Sequence, residues 1–187
     1  MTTPLRIGIS ALTLVCSQLA HAAIGEASYG GTGCPEGTVT SVVSNSRATV
    51  NLKLNEMETL TGDQTGAALS RKACALSIPV TMPAGKMIES IQATYEGNAV
   101  VADGATVKFQ SEHFIAGTAG KVNRLTLEAN EGSAFRITQN SKIESACGAN
   151  VAIRMNFSLL NQSAASASLS AGIIDRVKYK LNFADCN

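Results

Sequence analysis

The residues best equipped for chemistry in this chain are Ser111, Glu112 and His113, a hydroxyl, a carboxylate and an imidazole in immediate succession. Nucleophilic hydrolysis needs such groups converging on one point: a hydroxyl that attacks, an imidazole that takes its proton, and a carboxylate that orients the imidazole. Successive residues of a strand point to opposite faces, so Ser111 and His113 share a face while Glu112 turns away. The three are not expected to form a triad, and His113 is expected to be a satisfied or exposed histidine. Carboxylate pairs for glycoside hydrolysis could be drawn from Glu89, Glu96, Asp103 and Glu112, but nothing in their spacing singles out two. No G-x-S-x-G elbow, H-E-x-x-H pair, phosphate loop or calcium-loop pattern occurs. No catalytic residue is therefore assigned, and no cofactor is expected.

Cysteine is the other reactive type. Cys34, Cys74, Cys147 and Cys186 lie far apart, whereas a zinc site usually draws on close pairs such as C-x-x-C. Metal binding is not expected. An even number of cysteines in an exported chain reads as a disulfide framework, and a bridged cysteine offers no thiolate for catalysis. Three pairings are open. Cys34 with Cys74 and Cys147 with Cys186 is the favoured one, each closing a loop of about forty residues that stabilises by about 3 to 4 kcal/mol on a chain-entropy account.

Sugar binding favours exposed aromatic faces. The chain has no Trp, and its tyrosines are Tyr29, Tyr95 and Tyr179. Tyr179 falls on an apolar stripe and is expected to be buried, which leaves Tyr29 and Tyr95 as stacking candidates, each read first as structural. The sequons at Asn156-Phe157-Ser158 and Asn161-Gln162-Ser163 read as chance, the first lying inside a strong strand.

Export itself is read from the N-terminus. Arg6 precedes an apolar run from Ile7 to Leu19, too short to span a bilayer, and Ala20-His21-Ala22 supplies the small residues of a cleavage site before Ala23. Residues 1–22 are thus expected to be a secretory signal peptide, which takes with it His21, one of two histidines. An uncleaved anchor is the rival reading. A lipoprotein signal at Cys16 is disfavoured by the bulky Val15 before it. The expected location is secreted, extracellular or periplasmic, with no membrane insertion after cleavage. Of 15 lysines and arginines only Arg6 is lost, leaving 14 against 14 aspartates and glutamates. Such balance, without any block of like charge, gives no electrostatic reason to bind nucleic acid.

The elements that must carry these residues are strands. Ala48, Val50, Leu52 and Leu54 alternate with polar neighbours, as do Cys74, Leu76, Ile78 and Val80. Val151, Ile153, Met155, Phe157 and Leu159 form the clearest alternation, followed by Val177, Tyr179, Leu181 and Phe183. Pro79 lacks a ladder donor and predicts an edge position for its strand. Turns are expected at Ser44-Asn45-Ser46, Thr61-Gly62-Asp63, Pro83-Ala84-Gly85, Glu96-Gly97-Asn98, Ala102-Asp103-Gly104 and Asn130-Glu131-Gly132. Residues 56–71 read as a long loop or short helix, and 23–33 as a flexible lead-in. Many short strands with frequent turns predict an all-β fold, an antiparallel sandwich of Ig-like or jelly-roll-like form, occupying residues 34–187 as one domain.

The order Gly31-Thr32-Gly33-Cys34-Pro35, Arg71-Lys72-Ala73-Cys74, Pro83-Ala84-Gly85, Tyr95-Glu96-Gly97, Gly104, Cys147-Gly148 and Cys186 resembles the secreted domain-of-unknown-function family numbered 4360, across the whole mature chain. The resemblance implies a small four-cysteine exported protein of bacteria or fungi with a β fold, and brings no activity and no functional residues. The expected function is a non-enzymatic extracellular binding or interaction module, its partner an extracellular glycan or protein. A structural component of the cell envelope and an unrecognised extracellular hydrolase are the alternatives.

Overall fold

A computed structural model describes residues 22–127 and 134–186. The expected signal peptide, apart from Ala22, and the turn expected at Asn130-Glu131-Gly132 lie outside the described residues. Among the described residues twelve strands run in the order β1 (Ala23–Ile24), β2 (Ser28–Gly30), β3 (Val39–Ser44), β4 (Thr49–Leu54), β5 (Glu58–Thr61), β6 (Leu69–Thr81), β7 (Lys86–Val100), β8 (Thr106–Ile115), β9 (Lys121–Leu127), β10 (Ala134–Lys142), β11 (Val151–Gln162) and β12 (Ser170–Asp185). They form two antiparallel sheets packed as a sandwich. The first sheet places β1 and β2 along one side of β6, followed by β11, β8 and β9. The second runs β10, β7, β12, β4 and β3, with β5 also pairing with β12.

The apolar phase of each strand makes the core. On β11, Ile153, Met155, Phe157 and Leu159 are buried and Arg154 and Asn156 are exposed. On β12 the phase changes, with Ile174 buried above a register shift and Val177, Tyr179 and Leu181 buried below it. An extra residue in a strand turns the following side chains over, so the bulge lets one strand keep its apolar side inward throughout. Tyr95 lies at the middle of the core, with its ring centroid 4.7 Å from that of Phe109 and 5.4 Å from that of Phe157.

Several local expectations change. The Glu96-Gly97-Asn98 turn is instead the interior of β7, opposite the β12 bulge. A Cβ at Gly97 would overlap the Ile173 carbonyl, so the glycine marks a close strand approach, which in sequence looks like a turn. Residues 56–71 contain β5 and the start of β6. Residues 23–33, expected as a flexible lead-in, contribute β1 and β2, with Ile24 and Ala27 buried. The Ile24 N–H donates to Asn45 Oδ1 at 2.7 Å. Pro79 is not at a bare edge: the Gly25 N–H reaches the Pro79 carbonyl at 2.8 Å. A strand residue's N and O point to the same side, so the missing donor faces the gap between β1 and β2.

The structure joins Cys34 to Cys74 and Cys147 to Cys186, with Cα separations of 5.4 and 5.9 Å. Cys34 lies between β2 and β3, and Cys147 between β10 and β11. Each of those connections passes from one sheet to the other, so both bridges hold a crossing segment.

Candidate functional site

Two places could support chemistry or recognition. The first surrounds His113. β8 turns Ser111 and His113 inward, at 0% and 1% exposure, and Glu112 outward, where its Oε1 accepts from the Gly120 N–H at 3.2 Å. The face rule thus separates the three residues as expected, and His113 is a satisfied core histidine. Its partners come from the opposite sheet: Nε2 is 2.8 Å from Tyr95 Oη, and Nδ1 is 2.9 Å from Ser141 Oγ. Ser111 Oγ donates to Gln139 Oε1, also across the sandwich. Sequence reasoning missed Gln139 and Ser141, because only the packing of β10 over β8 brings them there.

A serine beside an imidazole invites comparison with a hydrolase. Burial, however, lowers the His113 pKa to about 4, since a buried ring resists charge. Such a weak base takes little of a serine proton at neutral pH. The third member is a phenol rather than a carboxylate, and burial raises the pKa values of Tyr95 and Tyr179 above the usual range. The set is suited to joining sheets. Asn161 on β11 acts likewise, donating to the Ser170 carbonyl at 2.8 Å and accepting from Thr61 Oγ1 at 3.0 Å.

The candidate carboxylates do not assemble. Glu96 projects from the second sheet and pairs with Arg136, while Glu112 projects from the outer face of the first. Asp103 sits in the β7–β8 turn and Glu89 is exposed on β7. The stacking candidates are likewise placed elsewhere: Tyr95 is fully buried, and half-buried Tyr29 donates to the Val39 carbonyl at 3.3 Å. Among the described residues no group of three histidine, cysteine or acidic side chains could hold a metal.

The second place is an open groove over the outer face of the first sheet. Two adjoining hollows of about 210 and 570 Å³ share Arg71, Gln110 and Ser158 as lining. Strand register explains the surface. Arg71 on β6, Leu160 on β11, Lys108 on β8 and Thr126 on β9 stand in one row across the sheet. Ala73, Ser158, Gln110 and Arg124 form the next, then Ala75, Asn156, Glu112 and Val122. Small residues on β6 lower the floor, and longer polar ones on β8 and β9 raise the far wall. Gly30 and Gly31 close the near end. Lys108 Nζ donates to Gln162 Oε1 at 3.2 Å. The groove was not legible in sequence: Arg71 falls in the segment that reads as a loop or short helix, β9 carries no alternation singled out above, and no single strand encodes which strands are its neighbours.

Residues 20–186 match the family model described as a domain of unknown function, DUF4360. A curated relative from Arthroderma benhamiae, described as an uncharacterized secreted protein, is 29% identical over 133 residues, 68% of this chain and 54% of that protein. The chain thus spans about half the length of that relative. Among solved structures, a carbohydrate-binding module in complex with β-1,4-galactotriose is 13% identical at a TM-score of 0.30, covering 86% of this chain and 88% of its own. A carbohydrate-binding module recognising mannan is 11% identical at a TM-score of 0.37, covering 86% and 99%.

Proposed function

The chain belongs to the domain-of-unknown-function family DUF4360, and on that premise we propose that it is a secreted, non-catalytic binding module whose site is the groove across the first sheet. The observation that carries this reading is the contrast between its two polar places. His113, Tyr95 and Ser111 are sealed in the core and spend their polar atoms on one another and on the opposite sheet. The groove instead turns side-chain amides, hydroxyls and cations outward along a preformed hollow. A ligand held there loses little entropy to ordering the protein, because every lining strand is fixed by its ladder. The backbone donors of β6, β11 and β8 are taken by neighbouring strands, so recognition falls to side chains. Amides and hydroxyls in such density suit a polyhydroxylated partner, and an extracellular glycan is the favoured class. Secretion is supported by the N-terminal pattern, the two bridges and the description of the fungal relative.

Ala75 is exposed on the groove floor, so Ala75→Trp fills the hollow without entering the core. Oxidised mature protein, applied to a panel of immobilised polysaccharides and extracellular proteins, should show saturable retention that this variant loses. Retention unchanged by Ala75→Trp, absence of retention across the panel, or turnover of any polymer would each overturn the reading.

A further inference from the structure

We infer that the occupant of the groove is an acidic polysaccharide, a chain of sugar rings bearing carboxylates. The inference rests on the proposed binding function and names its ligand class. Four charged side chains line the two hollows, and three are cations: Arg71, Lys108 and Arg124 against Glu112. Glu112 has an oxygen committed to the Gly120 N–H. None of the three cations is in an ion pair with a described residue; the pairs present are Lys86 with Asp185, Arg136 with Glu96, and Lys142 with Glu144. The concentration of positive charge is therefore local to a chain whose overall charge is nearly balanced.

Register fixes the spacing of these cations. Arg71 and Lys108 occupy one row with Leu160 between them, which at normal strand spacing sets their backbones about 10 Å apart. Arg124 lies diagonally beyond Lys108, because Lys108 faces Thr126 across β9, a diagonal separation of about 7 to 8 Å. The three therefore form a track across four strands rather than one cluster around a single anion. A track fits charges repeated along a polymer. Two are arginines, whose planar fork can grip a carboxylate through two hydrogen bonds.

The remaining lining distinguishes an acidic glycan from other polyanions. Gln110, Asn156, Ser158, Thr126 and Gln162 interleave with the cations and can both donate to and accept from sugar hydroxyls. The aromatics beneath the groove, Phe109 and Phe157, are 1% and 3% exposed, so neither offers its face to a ligand there. An acidic peptide would gain most by adding to a sheet edge, whereas this hollow lies over a sheet face.

The experiment uses oxidised mature protein with polygalacturonate and its carboxyl-reduced counterpart, the same backbone without charge. Binding to polygalacturonate is expected to weaken with added salt, and to fall roughly tenfold or more in the Arg71→Gln/Arg124→Gln double variant, the ratio a lost charge-assisted contact commonly gives. Lys178→Gln, on the other sheet, should leave it unchanged. Equal affinity for the carboxyl-reduced polymer, lost in Ala75→Trp, would overturn the acidic ligand while keeping the groove. Binding insensitive to Ala75→Trp would overturn the groove itself. Equal loss in Lys178→Gln, or tighter binding to single-stranded DNA, would show unspecific charge attraction and overturn the inference.

Discussion

At the scale of single residues, His113 makes stability depend on pH. Its pKa is lowered to about 4 in the folded protein from an ordinary value near 6.5. As pH falls, the unfolded chain takes up this proton first. The contribution is complete above about pH 6.5, declines between about 6.5 and 4, and levels off below, a loss of about 3 kcal/mol. Urea denaturation across that range should show the decline, and His113→Gln should show less of it by a similar amount; equal slopes would refute the assignment. Asn161 offers a second test, since it is fully buried and joins β11 to Thr61 and the Ser170 carbonyl. Asn161→Ala leaves those groups without a partner and should cost about 1 to 3 kcal/mol in the same measurement. That Ser111 and His113 share a face was legible from alternation alone, while its inward direction came from the structure. Their bonds to Gln139, Ser141 and Tyr95 were not, because those partners lie on another sheet and no local pattern encodes which sheet faces which.

At the scale of elements, the strands with the strictest alternation were the most legible. β11 and the lower half of β12 bury Ile153, Met155, Phe157, Leu159, Val177, Tyr179 and Leu181 as their two-residue period selects, while the end positions Val151 and Phe183 are only partly buried. The pattern failed where strands change phase. Gly97 sits opposite the bulge of β12, and a glycine between Glu96 and Asn98 has the composition of a turn although it is a contact between backbones. Gly97→Ala should therefore destabilise by about 1 to 3 kcal/mol through overpacking. Gly30→Ala should be far milder, as nothing lies within 4 Å of the added carbon. Denaturation midpoints of the two variants separate these cases, and similar midpoints would remove the close-approach explanation. The groove belongs to this scale too. The outward phase of β11 was visible, whereas Arg71 falls in a segment that reads as a loop and β9 was not recognised as a strand; the assembly depends on the order β6, β11, β8, β9, which departs from chain order.

At the scale of the whole molecule, the bridges hold segments that cross between sheets. Loss of the Cys147 to Cys186 bridge frees a loop of sequence separation 39. Cys147→Ser should lower stability by about 4 kcal/mol on the chain-entropy account and leave Cys186 open to a thiol-reactive probe. An unchanged melting temperature with no new thiol would contradict this. A further consequence lies in the place of β12. It pairs with β7 along most of its length and with β4 and β5 on its other side, yet it follows all three in chain order. The second sheet cannot close until residues 170–185 are available. Until then β4, β5 and β7 lack the strand that joins them, whereas the first sheet needs nothing beyond β11. Chain order thus makes the second sheet the half of the sandwich that is finished last.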